Sequence, residues 1–299
     1  MTSDSSSTAA LTMLWQRQSV WSQAAGRIKA EIGRARVAVL VLTITGAVLG
    51  TASAQVIPHH TPVGRLLAVA SAVALAVAAF LGRTTSIRLV RDWTRTRSAS
   101  EAIKSDVYTY LAGVAPFRDA HRNRILLERL EKLGDSVADL AKYTAGLTPV
   151  ARPLPEVSDV DSYTGVRVHG QIDGYYRPKA AQLTRRLAAF RRGEAALAVT
   201  AAILAAVVGV LPEAALTAWI GVLTTAATAL TAHAAASRYE YQQIEFTRTA
   251  DELERLLAAR AVAPGDARAD DDFVARCEQV ISIQNEGWMA KLSTADDGS

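Results

Sequence analysis

Four blocks of the sequence are apolar, and they come as two close pairs. The first runs from Val37 to Val56, twenty residues without one charged side chain. About 20 such residues in a helix cross a hydrocarbon core of about 30 Å. The second runs from about Pro62 to Gly82, with Arg65 near its start and an uncharged interior from Leu66 to Leu81. The third covers Ala195 to Leu211 and the fourth Ala214 to Ser237. A helix in the core of a water-soluble bundle keeps a polar stripe toward water. None of these four has a charged stripe. The chain therefore reads as an all-α integral membrane protein with four transmembrane helices in two hairpins. The connections are short: Ile57 to Pro62 in the first pair, Pro212-Glu213 in the second. Proline ends a helix because it lacks an N–H and crowds the residue before it. Spans joined this tightly are antiparallel neighbours.

Charge gives an orientation. The chain carries 27 Arg against 6 Lys and a net charge of +4. Fifteen Lys and Arg lie within reach of the ends away from the hairpin tips, against Arg65 alone on the tip side. Positive residues stay on the cytoplasmic face. Both termini and the central region are thus expected in the cytoplasm, with the chain in a bacterial inner (plasma) membrane. A basic balance also suits nucleic acid, but no nucleic-acid motif accompanies it. The single cysteine, Cys277, excludes an intrachain disulfide. Residues 1–10 read as a disordered Ser/Thr-rich tail.

Helical patterning continues beyond the spans. Thr12 to Arg36 leads into the first, Arg83 to Leu111 follows the second, and Arg238 to Arg260 follows the fourth. Arg118 to Gly146 reads as a separate amphipathic segment. Its seam of Ile125, Leu126, Leu130, Leu133, Val137, Leu140 and Leu147 approximates the heptads of a coiled coil. After the break at Pro264-Gly265, Asp270-Asp271-Asp272 opens a last helix, Phe273 to Leu292. Acidic residues there suit the helix dipole; a metal site has no other support. The Pro-rich stretch 148–157 is a linker. It separates a first two-transmembrane unit, 11–147, from a second, 158–293, followed by a tail at 294–299. These extensions are expected to form long cytoplasmic helices packed in a bundle.

The second half resembles the SLATT family, the two-transmembrane effector domains that associate with SMODS and SLOG proteins. The resemblance rests on Arg167-Val168-His169-Gly170-Gln171-Ile172-Asp173-Gly174-Tyr175-Tyr176-Arg177-Pro178-Lys179-Ala180 before a membrane hairpin. Tyr239-Glu240-Tyr241-Gln242 and Thr249-Ala250-Asp251-Glu252-Leu253 follow the hairpin, then Phe273, Cys277-Glu278-Gln279-Val280-Ile281 and Glu286-Gly287-Trp288. The first half looks like a sister unit, through Trp93 and the stretch from Ser98 to Leu111. The resemblance implies a membrane pore or channel of a bacterial defence system. It also implies a cytoplasmic partner that makes or senses a nucleotide.

A pore needs a polar or small face at membrane depth. At about 100° per residue, Thr217, Gly221, Thr224, Thr228 and Thr231 share one face of the fourth span. Such a face either lines water or hydrogen-bonds another helix. Rows of small residues on the other spans (Thr43, Ala47, Gly50 and Ala54; Ala70, Ala74 and Ala78; Ala201, Ala205 and Gly209) favour close helix packing. His233 is an ionisable side chain inside a span and a candidate pH-sensitive group, although its nearness to Arg238 lets it reach the interface. Arg185, Arg186, Arg191 and Arg192 either meet anionic headgroups or form a charge ring at a pore mouth. His59 and His60 fit a solvated turn. No catalytic, cofactor-binding or metal motif is present; there is no Walker loop, no GxSxG and no HExxH. The leading expectation is a pore-forming or ion-channel-like effector, assembled as a homo-oligomer and gated through its cytoplasmic helices. The alternative is a non-conducting scaffold that recruits a soluble cytoplasmic partner.

Overall fold

The computed structural model describes residues 2–84, 87–210, 214–262 and 265–296, with side chains placed for 8–83, 88–210, 216–262 and 265–282. The tip at Pro212-Glu213, the break at Pro264 and the side chain of Trp288 lie outside the described residues.

Among the described residues the secondary structure is helical, without strands. Helix α1 (Thr2–Val56) runs unbroken through the first apolar block. The turn holding Pro58 leads to α2 (Thr61–Thr84). Then come α3 (Ile87–Leu111) and α4 (Arg122–Ser136). A 3₁₀ turn follows at Ala138–Tyr143. Helix α5 (Val160–Val210) opens on Asp159, whose carboxylate accepts from the Ser162 N–H in a reciprocal capping box. Helix α6 (Ala214–Ser237) is separated from α7 (Tyr239–Val262) by Arg238, which has a left-handed φ of 49°. The Gln242 side chain donates to the freed Ser237 carbonyl at that break. Helix α8 (Ala267–Asp296) starts upstream of the acidic triplet, because the Asp266 carboxylate caps the Arg268 and Ala269 N–H groups. Asp270 then pairs with Arg260, and Asp271 with Arg118.

The expected single amphipathic segment 118–146 is divided. Leu126 and Leu130 are buried from α4, Leu140 from the 3₁₀ turn and Val137 from the junction between the two. Ile125, Leu133 and Leu147 are only half-buried.

Among the described residues four helices are long and apolar enough to cross a membrane, within Thr8–Val56, Thr61–Arg83, Val160–Val210 and Leu216–Val262. No more than 22% of the most apolar window of any of them is buried inside the chain. A water-soluble bundle hides such side chains; here Val41, Leu66, Val73, Phe80, Val199 and Ile203 are exposed. The exposed surface is apolar because its solvent is lipid.

The chain forms two compact units, each drawn from both halves of the sequence. The apolar unit contains residues 31–86 and 181–243, and the polar unit residues 1–30, 87–180 and 244–299. In the apolar unit the first hairpin closes on small residues. Ser71 Oγ donates to the Gly46 carbonyl at 2.7 Å, and Ser53 Oγ to the Gly64 carbonyl at 2.7 Å. Ala74 and Ala78 are buried on the same helix as Ser71. A Cβ at Gly46 would meet the Leu75 side chain at 2.7 Å, and one at Gly64 would collide with the Ile57 backbone. Of the rows read on the first two spans, Ala74 and Ala78 are buried and a Cβ on Gly50 would meet Ser71 Oγ at 3.1 Å, whereas Ala54 and Ala70 are exposed; the closest approaches fall on Gly46 and Gly64, outside those rows. In the row of the third span, Ala205 is exposed, and a Cβ on Gly209 would meet nothing.

Candidate functional site

The fourth span has two sides. Val222, Ala226, His233 and Ser237 are buried. Thr217, Gly221, Thr224, Thr228 and Thr231 are all exposed. The hydroxyl face is therefore largely uncovered within the chain. Thr224 Oγ1 donates to the Ile220 and Gly221 carbonyls, and Thr228 Oγ1 to the Thr224 carbonyl at 2.9 Å. Back-bonding of this kind satisfies the hydroxyl proton. It leaves oxygen lone pairs directed outward as acceptors. Thr231 Oγ1 lies within hydrogen-bond distance of both the Ala227 carbonyl and Glu194 Oε1, the latter at 2.8 Å. A carboxylate thus stands at one end of the row.

Beside this face lies a cleft of about 620 Å³, lined from the first span by Arg36, Val39, Leu40 and Thr43 and from the fourth by Thr224, Thr225, Thr228 and His233, among others. His233 is buried rather than extended to an interface. Its ring stacks on Phe190 with centroids 5.6 Å apart, and Nδ1 lies 3.4 Å from the Arg36 carbonyl. Of the four candidate ring arginines, all exposed, Arg191 reaches Glu240 at 3.3 Å, and Arg192 Nε donates to the Ala188 carbonyl.

The polar unit contains a second centre, one that periodicity does not reveal. Arg167, with a side-chain exposure of 1%, makes a two-pronged bridge to Glu278: Nε to Oε1 and Nη2 to Oε2, both at 2.9 Å. Tyr163 Oη donates to the same carboxylate at 2.9 Å. Glu101 lies 4.0 Å from the guanidinium, and the Tyr108 ring centroid lies 4.8 Å from Arg167 Cζ. Burial would raise the Glu278 pKa. The Arg167 charge and hydrogen bonds from Arg167, Tyr163 and Ser105 outweigh that and hold it below the usual carboxylate range. Burial, with the Arg167 charge beside it, pushes the Lys104 ammonium down to about 8. Burial also raises the Cys277 thiol to about 12, which leaves it protonated and unreactive.

Local geometry explains how this centre forms. Two stretches of α5, Thr164–His169 and Ile172–Tyr176, are π-helical. Tyr163 and Ile172 are nine residues apart, about two and a half turns of an ordinary helix, which would set them on opposite faces. The wider turns bring Tyr163, Arg167, Val168, Ile172 and Tyr176 all inside. Gly165, Gly170 and Gly174 weaken the α-helical preference there, and they are the signal that sequence reading could have used.

Comparison with known proteins agrees with this layout. Residues 163–288 match the family model of the SMODS and SLOG-associating 2TM effector domain 1. Residues 19–124 match the model of a protein family of unknown function, DUF4231. No curated protein and no solved structure matches the chain. The first match starts at Tyr163 and takes in Arg167 and Glu278, so it holds the buried bridge together with the second hairpin. The chain is a membrane protein whose second half is a domain of the SLATT family, a two-transmembrane effector domain of the kind found in defence systems, with a hairpin matched by a second family model ahead of it.

Proposed function

We propose that this protein is a pore-forming or ion-channel-like membrane effector that acts as a homo-oligomer in a bacterial defence system. The observation that carries the reading is the uncovered hydroxyl face of the fourth span. In this reading one copy alone does not enclose a lumen, since its threonine face is exposed. A lumen lined by Thr217, Gly221, Thr224, Thr228 and Thr231 therefore lies on the axis of a cyclic assembly, where one copy of this face meets its equivalents. Outward-facing hydroxyl lone pairs, with Glu194 at one end, suit a partly hydrated cation.

In this reading the polar unit and both termini are cytoplasmic, and a nucleotide-making or nucleotide-sensing partner acts on the polar helices to open the pore. The chain itself is not an enzyme. Ion flux through the purified protein in liposomes tests the proposal. Flux above protein-free vesicles, reduced by combined Thr224→Val, Thr228→Val and Thr231→Val changes, supports it. Flux that is indifferent to the triple change removes the threonine face from the pathway.

A groove of about 870 Å³ in the polar unit favours a second reading, in which the chain is a scaffold that recruits a soluble partner. Met13, Val20 and Trp21 line it from α1, and Leu127, Leu130 and Val137 from the opposite side. Met13 and Leu127 are about half exposed, at 47% and 48%. A well-folded protein that conducts nothing, with or without its partner, and loses partner binding on Leu127→Glu, favours the scaffold.

A further inference from the structure

The cleft beside the threonine face has the chemistry of a lipid site. Its volume, about 620 Å³, lies in the range of small-molecule pockets, roughly 300–1,000 Å³. Its wall is apolar along Val39, Leu40, Ala229 and Ala232, and it runs at membrane depth between the first and fourth spans. Among the described residues no Asp or Glu lines it. Its one permanently charged residue is Arg36, at the arginine-rich end of the first span.

Arg36 is half-buried, and no carboxylate pairs with its side chain among the described residues. The ionisable groups facing it are the Tyr239 phenol and a second cation, Arg238. Arg36, with no paired carboxylate, makes a positive site against hydrocarbon at one end of an apolar cleft. A guanidinium there needs an anion, and its planar fork matches a phosphate. His233 adds no negative charge.

We propose that this cleft binds one anionic phospholipid from the leaflet at the arginine-rich end of the spans, with its phosphate at Arg36 and an acyl chain along Val39, Leu40, Ala229 and Ala232. The site does not depend on the chain conducting ions. Both the first and the fourth span line it, so an occupied cleft ties the two hairpins together beside the threonine face.

The test is lipid binding by the full-length protein in neutral detergent, read by native mass spectrometry, with phosphatidylglycerol and phosphatidylcholine as paired probes. The wild type is expected to prefer phosphatidylglycerol by about fivefold or more, the ratio supplied by one arginine near an anionic headgroup. Arg36→Gln should abolish the preference while the protein stays folded. Ala232→Phe, which fills the cleft without touching charge, should weaken both lipids. Arg34→Gln, an exposed arginine two residues away, should leave the preference intact. Equal binding of both lipids by the wild type overturns the proposal. So does an equal loss of preference in Arg34→Gln, because a general basic rim would then be responsible. Displacement of phosphatidylglycerol by millimolar inorganic phosphate also overturns it, since the site would then hold a free anion and not a lipid.

Discussion

The two units of this protein are held together by opposite means. In the polar unit the interior is large and varied: among the described residues every large side chain with under 2% exposure belongs to it, including Tyr163, Phe117, Leu14, Ile103 and Leu253, and Arg167 lies among them. In the apolar unit the buried positions are mostly small, such as Ser53, Ser71, Ala74, Ala78 and Ala226, while the large apolar side chains point outward. Solvent explains the inversion. In water, burying apolar surface drives packing, at about 25 cal/mol per Å². In lipid that term vanishes between helices, and close backbone approach with a few hydrogen bonds takes its place. A polar side chain therefore means different things in the two units. Ser71 bonding the Gly46 carbonyl is ordinary helix adhesion, whereas the buried Arg167–Glu278 bridge is an exception that its surroundings must compensate.

The largest expected effect tests that exception. Arg167→Met leaves the Glu278 carboxylate buried without its partner and should cost about 3–5 kcal/mol. Adding Glu278→Leu should restore most of the loss. Thermal unfolding of the polar unit in detergent, followed by near-ultraviolet circular dichroism, measures both. If the double variant is no better than the single one, the bridge holds specific geometry that apolar packing cannot replace.

Lys104 gives the same centre a pH signature. Its pKa is about 8 in the fold, against an ordinary value of 10.5. Below pH 8 the ammonium is charged in both folded and unfolded chains, and the full burial penalty applies. As pH rises from about 8 to 10.5 the folded form is neutral while the unfolded form still binds a proton, so stability rises. The gain is roughly 3 kcal/mol across that window. Lys104→Met should be more stable than wild type at pH 7 and should lose the rise. Chemical denaturation at a series of pH values reads this directly. A wild-type curve that is flat from pH 8 to 10 would mean that water reaches the ammonium.

In the apolar unit the sensitive positions are the small ones. Gly46→Leu places atoms where the Leu75 side chain lies and pushes at the Ser71 hydrogen bond. Overpacking of that kind costs about 1–3 kcal/mol, read as a lowered midpoint of unfolding in detergent. The smallest effect is expected on the threonine face. Thr228→Val removes an exposed hydroxyl bonded only to its own helix, and stability should change by less than about 0.5 kcal/mol. A large stability loss there would show that the face is buried between copies and not open to a lumen.

The sequence by itself determined the membrane class, the four spans and the turn after Val56, because uncharged runs and proline act locally and need no partner. It also marked the threonine face by simple helical spacing, since α6 is regular. Tertiary structure decided which side of each span packs. It left Thr217, Gly221, Thr224, Thr228 and Thr231 uncovered, drew His233 in against Phe190 and made Gly46 a contact point, while Gly209 meets nothing. It alone revealed the Arg167–Glu278 bridge. The two residues are 111 positions apart, and the π-helical turns that aim Arg167 inward break the periodicity that sequence reading relies on. A residue's spacing follows from its own helix, but what it touches depends on which helix comes to lie against it.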